Sequence, residues 1–266
     1  FILFAATGCQ MPRDSEGNIV LITLDTTFQQ MMDSEGFFSA IFVYPLSQFI
    51  NFITPYTNVG VAILIVTVVV NGLVMLLTLK QNIQMQKMQQ LQPEMMKIQR
   101  KYEGRTDQAS KMRMAQETQN LYNKYHINPF SSFIGLFIQF PILIAMYNAC
   151  QRAEAVAKGQ FLGVSLELTP IEGVTSGQWI YIVFFVLMFA MQICSMMMPQ
   201  WLQKRRAKME AEKHHRAYHP TKNPMNSSMY VMMAIVLILA VSWPTAMTFY
   251  WMISSVVNIA KSVLVD

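Results

Sequence analysis

Five stretches of the chain are almost entirely apolar and carry no Asp, Glu, Lys, Arg or His, apart from Lys261 near the end of the fifth. They cover residues 57–79, 129–151, 178–200, 226–242 and 245–264. A helix rises about 1.5 Å per residue, so each stretch is long enough to cross about 30 Å of hydrocarbon, the fourth only barely. The pattern predicts an all-α polytopic membrane protein with five transmembrane helices.

The charged residues lie between these spans, and their signs are sorted. Segment 80–128 has nine Lys and Arg against four acids, and 201–225 has seven against two. By contrast, 9–56 has one basic residue against five acids, and 152–177 has two against three. Basic loops stay in the cytosol. We therefore expect the N-terminus outside and the C-terminus inside.

The remaining segments follow from this topology. Residues 57–80 would form the first span, 129–151 the second, 178–200 the third, 226–242 the fourth and 245–264 the fifth. Residues 10–56 and 152–177 would be extracellular, and 201–225 would be a basic cytosolic loop. Within 10–56, residues 37–56 are apolar but interrupted by Pro45, which favours an amphipathic helix in the outer interface. A sixth span is the alternative.

Residues 81–128 have a helical pattern. Apolar residues recur every three or four positions between Met85 and Tyr102, a turn is indicated at 103–107, and a second periodic arm ends before Pro129. This predicts an antiparallel helical hairpin in the cytosol. Met85, Met88 and Met95 would either pack in its core or offer an adaptable surface for apolar partners.

Residues 1–9 read as the end of a signal sequence followed by a lipoprotein cleavage box, with lipidation at Cys9. A chance Gly-Cys pair is the alternative. Cys150 and Cys194 fall near opposite ends of two spans, and we expect both to serve packing.

Other chemistry finds little support. The net charge of +5 is explained by loop orientation, so no nucleic-acid partner is expected. Three histidines between 214 and 219 resemble a metal cluster without a completing ligand, and we expect neither metal nor cofactor. The chain has no P-loop, and its spans hold neither acid nor histidine in their interiors, so we do not expect an enzyme.

Polar residues inside the spans are the candidates for function, because a polar group in hydrocarbon is costly without a partner. Asn71, Gln139 and Gln192 lie on three spans at comparable depths of about 12–15 Å, counted at 1.5 Å per residue. They would either bond helix to helix or line a wet recess open to the cytosol. The other polar span residues are Thr67, Ser254, Ser255 and Asn258.

Three motifs, in order, resemble those of the YidC membrane protein insertases, which are related to the mitochondrial Oxa and chloroplast Albino insertases. They are LQPEM at 91–95, Asn128-Pro129 followed by FIQFPILIAMY at 137–147, and WPTAMTFYW at 243–251 with Asn258 after it. The lipoprotein box and the lack of a large outer domain resemble the Gram-positive type.

This resemblance implies insertion of proteins into the plasma membrane of a Gram-positive-type bacterium without nucleotide hydrolysis. A hydrophilic groove would be open to cytosol and lipid, and the cytosolic hairpin would recruit nascent membrane proteins with short polar tails. The Sec translocon, the ribosome and the signal recognition machinery are the further partners it suggests. The groove positions it implies are Asn71, Gln139, Gln192, Trp243, Tyr250, Trp251 and Asn258.

The chain departs from the family pattern at Asn71, where an Arg usually lies in the groove. An amide offers a dipole where a guanidinium offers a fixed charge. Insertion remains the expectation, but attraction of acidic tails by this position does not follow. A structural partner of a translocon and a passive solute transporter are the alternatives.

Overall fold

The computed structural model describes residues 11–128, 131–213 and 225–264. They divide into two compact units. The first unit contains the residues up to Asn71 and those from Pro141 onward, and the second contains residues 72–140. The predictions for residues 1–10 and 214–224, which include Cys9 and the three clustered histidines, lie outside the described residues.

Among the described residues the secondary structure is helical except for one short β-pair. The helices are α1 (Phe28–Glu35), α2 (Tyr44–Ile53), α3 (Val59–Leu77), α4 (Leu79–Gln90), α5 (Gln92–Lys101), α6 (Gln108–Lys124), α7 (Ser131–Arg152), α8 (Glu154–Ala157), α9 (Pro170–Thr175), α10 (Ile180–Lys213), α11 (Met225–Ser242) and α12 (Thr245–Leu264). A π-helix (Ser39–Val43) precedes α2 and a 3₁₀ turn (Thr54–Tyr56) follows it. Strands β1 (Gln160–Phe161) and β2 (Val164–Ser165) pair antiparallel.

Each of the five apolar stretches falls on a long helix, namely α3, α7, α10, α11 and α12. Two segments of the described chain, Val59–Leu77 and Ile180–Arg206, are long and apolar enough to cross a bilayer by length and composition alone. These apolar helices fit an all-α membrane protein. The count of five spans and their direction stay predictions.

The helix α10 corrects two expectations. It continues to Lys213 instead of ending near residue 200, so the first half of the predicted basic loop 201–225 is helical. Lys, Arg, Glu and Ala are good helix formers, which explains why the helix persists through a charged segment. Cys194 on α10 is exposed and does not pack inside the protein, whereas Cys150 on α7 is buried.

A buried ion pair joins the carboxyl end of α7 to α1. Both terminal nitrogens of Arg152 donate to the Glu35 carboxylate, at 2.6 and 2.5 Å. The Arg152 side chain is 1% exposed and that of Glu35 is 11% exposed. The Arg152 Nε also donates to the Val20 carbonyl at 2.9 Å. A guanidinium can be buried here because its donors are paired.

The main chain continues this contact. The Ile22 amide donates to the Arg152 carbonyl at 2.6 Å, and the Glu154 amide donates to the Ile22 carbonyl at 3.2 Å. Asn51 on α2 donates to the same Ile22 carbonyl and accepts from the Ala155 amide. Residues 20–27, which lack regular helix before α1, are thereby fixed to α2 and to the end of α7. No local sequence pattern predicts this arrangement.

The loop between β2 and α9 caps the start of α12. The amides of Thr245 and Ala246 donate to the carbonyls of Leu168 and Leu166, both at 2.9 Å. These donors have no partner within their own helix, so the loop satisfies the first turn of α12. The Phe161 ring packs edge-on against Phe249 on the same helix, with centroids 4.9 Å apart.

In the second unit, α5 and α6 run antiparallel. Tyr125 donates to Glu94 at 3.0 Å, Tyr122 to the Met95 sulfur at 3.3 Å, and Tyr102 to Glu117 at 2.8 Å, so the pairs run in reverse order along the two helices. The turn falls at the residues between Lys101 and Gln108, as the sequence indicated. We refer to α5, α6 and this turn as the hairpin.

The predicted first arm of the hairpin, from Met85 to Tyr102, is not one continuous helix. The helix is interrupted at Leu91, between α4 and α5, and Pro93 lies in the first turn of α5. Proline lacks an amide hydrogen and fits the start of a helix better than its interior. Leu91 and Tyr102 are buried, and Met88 and Met95 are half-buried. The Met85 side chain is outside the described residues.

The Arg152–Glu35 pair generates a stability prediction. Arg152→Met leaves the Glu35 carboxylate buried without its partner, so we expect the free energy of unfolding to fall by about 3–5 kcal/mol. Chemical unfolding in detergent micelles measures this change. The double variant Arg152→Met/Glu35→Met should recover part of the loss, because it removes the orphaned charge.

Lys158→Met is the matched control. Lys158 pairs with Glu154 at 2.6 Å, but the two side chains are 69% and 36% exposed. Its removal should cost less than about 1 kcal/mol. Equal losses for Arg152→Met and Lys158→Met would show that the buried pair carries no special stability.

Candidate functional site

Two adjacent serines on α12 each bind a polar side chain of a different helix. Ser254 donates to the Asn71 Oδ1 on α3 at 3.2 Å, and Ser255 donates to the Gln192 Oε1 on α10 at 2.7 Å. Both serines are buried, at 8% and 2% exposure, and both amide residues are half-buried. We call these four residues the polar site.

Hydrogen bonds within α3 fix the orientation of Asn71. Asn71 Nδ2 donates to the Thr67 carbonyl at 2.8 Å, and Thr67 Oγ1 donates to the Ile63 carbonyl at 2.6 Å. Residues four apart share one helix face, so Thr67 and Asn71 point to the same side of α3. The hydrogen bond to Thr67 fixes the Asn71 amide so that its oxygen meets Ser254.

The polar site consists only of amides and hydroxyls. The stretches that contribute to it contain one charged residue, Lys261, which lies six positions after Ser255 near the end of α12. The four residues of the polar site can exchange hydrogen bonds with a polar segment or with water, but they offer no fixed charge themselves. The Gln192 amide oxygen is occupied by Ser255, which leaves its two N–H groups to act as donors.

An aromatic cluster lies on α7, α12 and the connection before α12. The Trp243 and Trp251 rings are stacked, with centroids 5.2 Å apart and an interplanar angle of 14°. The Tyr147 ring lies 4.7 Å from that of Trp243. Trp243 and Trp251 are half-buried, while Tyr250 is 1% exposed and belongs to the core of the first unit.

The structure thus brings together two of the three amides singled out from the sequence. Asn71 and Gln192 meet α12 through neighbouring serines, whereas Gln139 belongs to the second unit and its side chain is exposed. Asn258 lies one turn after Ser254 and is also exposed. The roles assigned to these residues stay predictions, as does lipidation of Cys9.

Ser254 and Ser255 are the residues that sequence reasoning passed over. They appeared among the polar span residues but not among the groove positions, because no motif of the resemblance contains them. Their signal was the occurrence of two polar residues in the middle of an apolar stretch. In hydrocarbon each hydroxyl needs a partner, so two together indicate contacts with more than one neighbouring helix.

Comparison with known proteins decides the family. The sequence model of the family described as 60Kd inner membrane protein matches residues 49–266. The chain belongs to the YidC family of membrane protein insertases. This match covers the whole of the polar site and the aromatic cluster.

Curated YidC relatives resemble most of the chain. Membrane protein insertase YidC 2 of Bacillus anthracis is 31% identical over 236 residues, which is 87% of this chain and 82% of the relative. Membrane protein insertase MisCA of Bacillus subtilis (strain 168) is 28% identical over 237 residues, covering 88% and 80%. YidC 1 of Halalkalibacterium halodurans is 30% identical over 238 residues, covering 86% and 79%.

A double-mutant cycle tests the α10–α12 contact. For Ser255→Ala and Gln192→Leu we expect a coupling of about 0.6–1.7 kcal/mol in the free energy of unfolding, because each residue loses its hydrogen-bond partner when the other is replaced. Unfolding in detergent measures all four proteins of the cycle.

Ser262→Ala, combined with Gln192→Leu, is the control cycle. The Ser262 hydroxyl donates to the Asn258 carbonyl of its own helix at 2.8 Å and is independent of α10. Its coupling with Gln192 should be near zero. Equal coupling in the two cycles would rule out a specific Ser255–Gln192 interaction.

Proposed function

We propose that this protein inserts other proteins into the cytoplasmic membrane without nucleotide hydrolysis, through a hydrophilic recess built around the polar site. The observation that supports this proposal most directly is the meeting of Asn71, Gln192 and two serines on apolar helices. Membership of the YidC family supports the same activity, since its named relatives are insertases.

The mechanism rests on desolvation. A polar tail that enters hydrocarbon without partners loses its hydrogen bonds to water, which costs several kcal/mol for each group. Amides and hydroxyls in a hydrated recess replace part of those bonds. The recess therefore lowers the free-energy barrier to entry of the polar tail. The apolar segment of the inserted protein, which we call the passenger, passes into lipid along the apolar helix faces.

The charge pattern supports a topology for the remaining parts. We propose five membrane spans with the N-terminus outside and the C-terminus inside, and a cytosolic hairpin that makes first contact with nascent membrane proteins. Exposed Asn258 would add polar surface to the recess. The Sec translocon, the ribosome and the signal recognition machinery are candidate partners in delivering these passengers.

One observation favours a second function. The Asn71 and Gln192 oxygens are already bound by Ser254 and Ser255, as expected for polar residues that hold helices together. A protein in which these bonds only stabilise the bundle would be a structural partner of a translocon without its own insertion activity. The two functions differ in what happens when the amides are removed from a folded protein.

The double variant Asn71→Leu/Gln192→Leu separates them. We expect it to reduce insertion of a short single-span protein by about tenfold or more, because the tail loses hydrogen-bond partners worth about 1–3 kcal/mol each. Insertion is measured as protease protection of the passenger in a Gram-positive host depleted of its resident insertase. The same host reports growth rescue by the unaltered chain.

Gln178→Leu is the matched control, because Gln178 carries an exposed amide next to the start of α10. It should leave insertion unchanged. Normal insertion by a stably expressed Asn71→Leu/Gln192→Leu variant would contradict the recess mechanism. If the unaltered chain gives no rescue but Asn71→Arg does, the chain needs a charge that it lacks, and the structural role is favoured.

A further inference from the structure

The turn end of the hairpin contains a polar cleft of about 300 Å³. Every lining residue belongs to α5, α6 or the turn between them, so the cleft lies wholly within the second unit. The lining residues are Lys101, Tyr102, Arg105, Arg113, Gln116, Glu117 and Asn120.

The spacing along α6 explains why these groups converge. Gln116 and Glu117 are adjacent, and each lies three or four positions from both Arg113 and Asn120, so the four side chains occupy one side of the helix. The C-terminal end of α5 and the turn bring two further basic residues to the same face. The cleft therefore combines three basic groups, one acid and two amides.

The single acid of the cleft is ionised and paired with Lys101. Glu117 accepts from Lys101 at 2.5 Å and from Tyr102 at 2.8 Å. These bonds, that of Lys101 first, lower the pKa of Glu117, so its carboxylate is ionised at neutral pH. Glu117 thus offsets Lys101, and the positive charge of Arg105 and Arg113 remains in excess.

Asp107 lies near this charge but has its own hydrogen bond. Its carboxylate caps α6 by accepting from the Ser110 amide at 2.8 Å. Arg105 interacts with it electrostatically and contributes, after Ser110, to the lowering of the Asp107 pKa. Arg105 also lies over the Tyr102 ring, 6.0 Å from its centroid. Both contacts leave the guanidinium on the surface, where Arg105 and Arg113 are exposed.

We propose that the cleft binds acidic side chains in the polar tails of the passengers, with Arg105 and Arg113 as the groups that hold the carboxylate. Guanidinium groups present paired N–H donors that match a carboxylate, and Gln116 and Asn120 add amides suited to the passenger's main chain. This inference rests on the proposed insertase function and names a class of passenger that the hairpin recruits.

The charges of the cleft favour an acidic peptide over a nucleic acid. A nucleic acid backbone requires a continuous basic stripe, because it carries one charge at every phosphate. Here Glu117 lies inside the cleft and Asp107 lies beside it, so a continuous polyanion meets two negative groups. One or two carboxylates on a flexible peptide can reach the two arginines and avoid the acids.

The polar site cannot perform this recognition. It consists of neutral amides and hydroxyls, and dipoles compensate poorly for the desolvation of a charge. Nor are Met88 and Met95 freely available, since the Met95 sulfur accepts a hydrogen bond from Tyr122 and both side chains are half-buried. The cleft is the place in the described hairpin where exposed basic residues and polar groups converge around a concave surface.

A binding experiment tests the cleft directly. A fluorescent peptide containing four Asp or Glu residues, and its counterpart with Asn and Gln, are titrated against the full chain in detergent by anisotropy. We expect Arg105→Gln/Arg113→Gln to weaken binding of the acidic peptide about tenfold, because two charge-assisted contacts are lost at an exposed site. Lys111→Gln, an exposed α6 residue outside the cleft, should change the affinity by less than about twofold.

Several results would overturn the proposal. These are equal affinity for the acidic and neutral peptides, equal weakening by Lys111→Gln, or a short RNA that binds more tightly than the acidic peptide through the same arginines. Arg105→Lys/Arg113→Lys keeps the charge but loses the paired donors, so an intermediate affinity is expected. The Lys variant also controls for misfolding of the Gln variant. If the Lys variant is folded and binds the acidic peptide as weakly as the Gln variant does, recognition does not depend on charge.

Insertion measurements keep this inference separate from the proposed function. Two single-span passengers differ only in acidic or neutral residues of the tail, and the ratio of their insertion is measured with the unaltered chain and with Arg105→Gln/Arg113→Gln. We expect the acidic-to-neutral ratio to fall about threefold to tenfold. Failure of the unaltered chain to insert the neutral passenger contradicts the insertase function, whereas an unchanged ratio contradicts only the cleft.

Discussion

The ion pair between Arg152 and Glu35 is the contact on which the first unit depends. Its side chains fix α1 to the end of α7, and the main chain of the same arginine binds residue 22. An arginine at 1% exposure is tolerable only if its donors are paired, so the irregular segment before α1 is compelled to follow one path. The long apolar helix α7 therefore ends in a fixed polar contact with α1.

The polar site follows a related constraint. Buried hydroxyls need hydrogen-bond partners, and Ser254 and Ser255 find theirs in Asn71 and Gln192 on two other helices. The hairpin has a different character, since its arginines are exposed and the carboxylates of Glu117 and Asp107 are each engaged in hydrogen bonds. Exposed basic groups thus line the cleft of the hairpin, whereas the polar site is built from neutral groups.

Much of this architecture was readable from composition and periodicity, and the rest depended on distant contacts. The five apolar stretches predicted five long helices, and the turn after Lys101 was indicated by local sequence. The extension of α10 to Lys213 was missed because charge was taken to end the helix, although helix propensity favours its continuation. The pairing of Arg152 with a residue 117 positions away leaves no local pattern, and neither does the choice of partners by the two serines.

The adjacency of Ser254 and Ser255 has a mechanical consequence for α12. Successive residues are about 100° apart around a helix axis, since 3.6 residues complete a turn. Two neighbouring hydroxyls that reach α3 and α10 therefore act as a pair of angular stops, each resisting rotation of α12 about its own axis. A twist large enough to free one serine also misaligns the other. The Trp251 ring, one turn earlier on α12, is therefore held in one direction around the helix axis.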